Sequence, residues 1–125
     1  MALKFGFVSE FMPEKGLVRV KFPEDNLVSF PLPIIVNGAK NNKFFYCLDV
    51  NEQVACLMDD NLENGVCLGA IYNEKNVPRS SVTNDLVSVN FGESKVSISK
   101  SGSTVEVNAG NTTIKASPTG VEISK

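Results

Sequence analysis

Apolar and polar residues alternate along much of this chain, at a period of two. Residues 17–22 show it best: Val18, Val20 and Phe22 alternate with Arg19 and Lys21, and Pro23-Glu24-Asp25-Asn26 closes the run with turn residues. Leu27 to Leu32 is a second run, closed by Pro31 and Pro33. Val54 to Met58 is a third, ended by Asp59-Asp60-Asn61. Gly65 to Tyr72 is a fourth, with glycines where a strand bends or passes close to another backbone. Phe5 to Val8 is the expected opening strand. No window of helical length keeps a 3.6-residue period, and only Asp49 to Gln53 suggests a single helical turn. Five short strands within residues 1–75 predict a small closed barrel, because closure hides the sheet edges.

The second half has a sharper pattern. Apolar pairs stand at Val87 and Val89, Val96 and Ile98, Val105 and Val107, and Ile114 and Ala116. The first members are nine residues apart, and so are the second members. A fifth pair, Val121 and Ile123, follows after seven. Gly92, Gly102, Gly110 and Gly120 lie between the pairs in polar, turn-like stretches. Each repeat therefore predicts a strand of about five residues with one apolar face and a short turn. Nine is too short for a helix-containing repeat and wrong for a hexapeptide solenoid. The calcium-binding nonapeptide needs aspartates, and none occurs after Asp85.

Such a tail has only two or three modest apolar side chains per strand and two open edges. These do not offset the entropy of ordering residues 85–125 in a lone chain. The repeat therefore implies an oligomer whose ladder hydrogen bonds run between chains, and three chains form the simplest closed packing for strands this short. The expected axis core is Val87, Val89, Val96, Ile98, Val105, Val107, Ile114, Ala116, Val121 and Ile123. Lys95, Lys100, Glu106, Lys115 and Glu122 fall outside the pairs and keep the outer face wet, which suits a shaft better than an aggregating strand array.

The two halves differ in texture. Residues 1–75 hold seven of the eight phenylalanines, both tyrosines and all three cysteines. The expected organisation is a barrel over 1–75, a linker over 76–84 around Pro78, and the repeat over 85–125.

Composition narrows the chemistry. The 125 residues carry 12 basic and 14 acidic side chains, a net charge of -2, which argues against binding nucleic acid or membrane by bulk charge. The barrel half has seven Lys/Arg against ten Asp/Glu, and Phe5, Phe7, Phe22 and Phe30 sit in strand patterns where core packing is expected rather than base stacking. There is no histidine, so Ser-His-Asp and Cys-His nucleophile pairs and His-ligated metals are excluded. Cys47, Cys56 and Cys67 form no Cys-x-x-Cys pair and are expected as small buried residues in strands. Asp59-Asp60 reads as a polar turn, not a catalytic carboxylate pair, because adjacent strand-end side chains point apart. Leu62 to Gly65 reads as a hairpin turn, and Asn37 to Lys43 as a long loop available to a hub or a neighbouring subunit. Neither enzyme activity nor any cofactor is expected. Met1 to Val8 is too short and too interrupted for a signal peptide, and no run approaches the roughly 20 apolar residues of a membrane span, so synthesis in the cytoplasm is expected.

The ordered motifs resemble the baseplate assembly protein V family, the central spike of contractile-tailed bacteriophages, related to the VgrG proteins of type VI secretion. They are Gly6-x-Val8, Gly16-Leu17-Val18-Arg19-Val20-x-Phe22-Pro23, Leu27-x-Ser29 with Leu32-Pro33, Val50-x-Glu52-Gln53-Val54, and the most specific, Gly65-Val66-Cys67-Leu68-Gly69-Ala70-Ile71-Tyr72-Asn73. The resemblance implies an all-β protein with an N-terminal OB-fold-like barrel and a C-terminal intertwined triple-stranded β-helix in a homotrimer. It implies a place under the baseplate hub of a virion tail or an equivalent injection particle, and a role in piercing the target cell envelope. Two family features are missing: a histidine-bound iron at the tip and an inserted lysozyme domain. Five strands stacked at about 4.8 Å make a shaft of only about 24 Å, so a separate tip protein is expected at the C-terminal end. Triple β-helices also build receptor-binding fibres, the second reading, but those carry a head domain, and none is expected after Lys125. A third and weaker reading is an OB-type oligonucleotide- or oligosaccharide-binding module.

Overall fold

The alternating pattern becomes strands in both halves of the chain. In a computed structural model describing residues 1–79 and 83–125, the chain divides into two compact units, Met1–Val77 and Pro78–Lys125. Residues 80–82 of the expected linker lie outside the described residues. Both units are built on antiparallel sheets, and the described residues contain no α-helix, only a single 3-10 turn at Pro23–Asp25.

The first unit consists of β1 (Ala2–Met12), β2 (Leu17–Phe22), β3 (Leu27–Val28), β4 (Leu32–Pro33), β5 (Gln53–Met58) and β6 (Gly65–Ala70). The sheet order is β3-β2-β1-β5-β6, with β4 also paired to β2. Long β1 serves both neighbours: residues 2–7 pair with β5 and residues 7–12 with β2, with a bulge at Ser9 that bends the strand. Beyond β4 the chain reaches β6, where Ile34 forms a parallel bridge to Cys67 and the Ile35 N–H donates to the Cys67 carbonyl at 3.0 Å. The two ends of the sheet therefore meet.

Alternation sets the core. Val18, Val20 and Phe22 on β2 and Val54, Cys56 and Met58 on β5 are buried, joined by Val8, Leu32 and Cys67. The expected run 27–32 is interrupted at Ser29, which is buried. Its hydroxyl accepts from the Val20 N–H at 3.0 Å and donates to the Phe30 carbonyl at 2.7 Å, so the buried polar group is satisfied where the ladder breaks.

Several local expectations differ. Asp49 to Gln53 is a turn, not helix: the Glu52 N–H reaches the Asp49 carbonyl at 3.1 Å, and Asn51 at φ 71 stops propagation. The hairpin between β5 and β6 is longer than Leu62–Gly65, because Leu62 (φ 58) folds back into the core. Phe5 and Phe30 are about half exposed; β1 turns Gly6 and Val8 inward, which sends Phe5 outward. Cys47 is half-buried and lies outside the strands.

The second unit is a five-stranded meander: β7 (Leu86–Phe91), β8 (Ser94–Ser99), β9 (Thr104–Ala109), β10 (Thr112–Ser117) and β11 (Gly120–Ser124). Each strand pairs antiparallel with its sequence neighbour, so these ladders run within the chain and not between chains as expected. Turn length is the physical cause. Gly92-Glu93, Gly110-Asn111 and Pro118-Thr119 are two-residue connections, which return the chain directly beside the strand just made. Gly92 and Gly110 open their turns at φ +60, as a type II′ turn requires of its first central residue.

Candidate functional site

The strand register explains the nine-residue spacing. Six residues separate facing apolar partners at the first three turns: Val89 to Val96, Ile98 to Val105 and Val107 to Ile114. Four separate Ala116 from Val121 at the last turn, which shortens the final step to seven. The pairings align all ten repeat residues in two columns on one face of one sheet. One column is Val87, Ile98, Val105, Ala116 and Val121; the other is Val89, Val96, Val107, Ile114 and Ile123.

The opposite face is polar apart from Leu86 at the start of β7. It presents Ser88, Ser97, Glu106, Lys115 and Glu122 in one row across the strands, with opposite charges adjacent at the last three positions. Lys95 shares that face, and Lys100 sits in the turn between β8 and β9.

Among the described residues nothing in the unit covers the apolar face. No described residue from 83 to 125 is fully buried, and the Val and Ile side chains of the two columns range from 39% exposed at Val107 to 72% at Ile123. A one-layer sheet without a buried side chain has no core of its own. Covering a half-exposed Val or Ile yields about 1 kcal/mol. The nine in the columns therefore hold several kcal/mol per chain in reserve.

One electrostatic pin sets the start of this sheet. Asp85 accepts hydrogen bonds from the Ser101 hydroxyl at 2.6 Å, the Ser99 hydroxyl at 2.8 Å and the Ser101 N–H at 2.9 Å. The Ser101 and Ser99 hydroxyls hold its carboxyl below the ordinary range. Asp85 thereby ties the entry to β7 to the four-residue turn between β8 and β9.

The titratable groups of the first unit are structural where their contacts are seen. Asp59 accepts from the Glu63 N–H at 3.1 Å, and Asp60 takes the N-terminal amine at 3.2 Å, so both belong to the turn after β5. Cys56 and Cys67 face each other across β5 and β6. The Cys56 thiol is pushed above its usual range, first by its hydrogen bond to Cys67 and then by burial. Among the described residues no group of three or more His, Cys, Asp or Glu could hold a metal ion, and no helix is long and apolar enough to cross a membrane.

The ten residues expected from the sequence as an axis core all lie in the two columns on one face of the sheet. Sequence reasoning missed the outer face of β1, where Leu3 and Phe5 are exposed, and the exposed pair Phe44-Phe45. The available signal was Gly6 between Phe5 and Phe7, which marks the inward position. In comparisons with known proteins, no family model and no curated protein matches the chain.

Proposed function

We propose that this chain is the central spike of a contractile injection device, a structural protein that works as a homotrimer. The observation that carries the proposal is the two-column apolar face of β7–β11, complete, continuous and uncovered. Second and third copies of the same face are its occupants. The two columns make a stripe about 7 Å wide, extended at one side by Phe91 on β7 and Ala109 on β9. Three narrow stripes meet round one axis and give every Val and Ile apolar neighbours on both sides. The polar faces then form the outside of the prism.

In this arrangement the strands of each chain stay paired within the chain and lie across the axis, while their ladders run along it. Bending the shaft requires opening a ladder on one face while the other two brace it. A filled axis carries compression without a hinge. That is the mechanical demand on a tip driven through a cell envelope. The first unit serves as an OB-type barrel: β1 shared between β2 and β5, and the parallel bridge from Ile34 to Cys67, fit that topology. The barrel binds the baseplate hub, as the motif resemblance implies.

A separate tip partner completes the shaft. β11 is the last strand of the sheet, and Val121 and Ile123 on it are the most exposed members of the two columns. The test is electron cryo-microscopy of contractile particles from the producing cell. Three copies of the chain on the tube axis below the hub support the proposal. Particles without it on that axis contradict it.

A further inference from the structure

The first unit has two apolar patches outside its core, and they differ in charge. One lies on the outer face of β1, β5 and β6. Leu3 faces Leu57 and Phe5 faces Ala55, and these continue to Val66 and Gly69 on β6. Leu3 is 54% and Phe5 53% exposed. Acidic residues rim this patch. Asp59-Asp60 follow β5 directly, with Asp60 holding the N-terminal amine at 3.2 Å. Glu24 and Asp25 line a concavity of about 500 Å³ beside Phe5 together with Lys4, whose Nζ lies 4.0 Å from Asp25, so the rim keeps a net negative charge.

The other patch is the segment Ile34 to Leu48, which contains Lys40 and Lys43 and no acidic residue. It is a formed structure. The Phe44 N–H donates to the Gly38 carbonyl at 3.1 Å, Ala39 bridges Lys43, and the Phe45 ring lies 6.3 Å from that of Phe11. Ile35 is nevertheless 58% and Phe45 65% exposed.

We infer that the basic, aromatic loop of one barrel seats on the acid-rimmed strand face of the next barrel, a head-to-tail contact that closes after three copies. The inference rests on the trimer proposed above. A two-fold contact uses one self-complementary patch, whereas a three-fold ring needs two unlike patches that fit each other. Both patches on this barrel are apolar at the centre and opposite in charge at the rim, which fixes the partner and its direction.

The test uses the full chain, co-refolded from equal parts of unlabelled and ¹⁵N-labelled protein, with carbodiimide coupling of lysine to carboxylate and peptide mass spectrometry. Lys40 or Lys43 is expected to join Asp59, Asp60, Glu24 or Asp25 in mixed-label peptides. Phe45→Glu is expected to lose these links while the particle keeps a mass of about 40 kDa. A particle of that mass without mixed-label links between the two segments overturns the inference and leaves the trimer standing, with the hub as the occupant of the patches. A single-chain mass overturns the trimer and this contact with it.

Discussion

Ile98 on β8 faces Val105 on β9 at the middle of the two-column face, and the two side chains are 48% and 41% exposed. A directly opposed apolar pair stabilises a sheet by its mutual contact, but half of each side chain still faces outward. The pair is therefore the most sensitive point for testing what covers the face.

Replacing both, Ile98→Asp with Val105→Asp, sets two carboxylates on the proposed axis in each of three chains. Unpaired buried charge costs several kcal/mol per site, so the shaft is expected not to assemble. The barrel, with its own core, is expected to keep its β-sheet circular dichroism. A double variant whose β7–β11 amides keep the exchange protection of the parent would show that these side chains do not face an axis.

Asp85 gives a pH dependence. Its folded-state pKa is lowered, so its contribution is present above the ordinary carboxylate pKa of about 3.9 and is lost as pH falls through the lower folded value. Amide exchange in β7 and in the turn at Lys100–Ser103 is expected to accelerate only below about pH 4. Asp85→Asn is expected to remove that acid-side step and to speed exchange there at neutral pH. An unchanged pH profile in the variant contradicts the pin.

The turn glycines separate by backbone angle. Gly92 stands at φ +60, where an L side chain is strained, so Gly92→Ala is expected to destabilise the meander by about 1 kcal/mol. Gly102 lies outside the left-handed region, and an added Cβ makes ordinary contact with the Thr104 side chain, Cγ2 at 3.5 Å and Oγ1 at 3.9 Å. Gly102→Ala is therefore expected to be neutral or slightly stabilising, by about 0.5 kcal/mol at most. Denaturant melts of the two variants check the order, and equal effects contradict the assigned turns.

The thiols divide in the same way. Cys56 and Cys67 are fully buried, while Cys47 is half-buried. Iodoacetamide is expected to modify Cys56 and Cys67 only after unfolding, as mass spectrometry under native and denaturing conditions will show. Rapid native labelling of Cys67 would mean that the junction between β6 and Ile34 opens.

Much of this architecture was legible in the sequence because alternation is a direct record of burial. Val18, Val20 and Phe22 face inward since their polar neighbours cannot, and the constant spacing of Val96, Val105 and Ile114 reports a constant six-residue separation between facing partners. Long-range closure was not legible. Whether Phe5 points in or out depends on Gly6 approaching β2, and Leu62 enters the core through a left-handed backbone that composition does not announce. The pairing partner of each repeat strand was misjudged for a related reason. The spacing is compatible with pairing in the chain or between chains, and the two-residue turns decide for the former.

The central claim is that the uncovered face of β7–β11 is closed by two further copies of the chain. The most direct measurement is the mass of the purified protein by light scattering at several concentrations. The account predicts about 40 kDa, three times the 13.5 kDa chain, independent of dilution over the working range. A stable particle of 13.5 kDa would contradict it, because the two apolar columns would then remain open to water in the working protein.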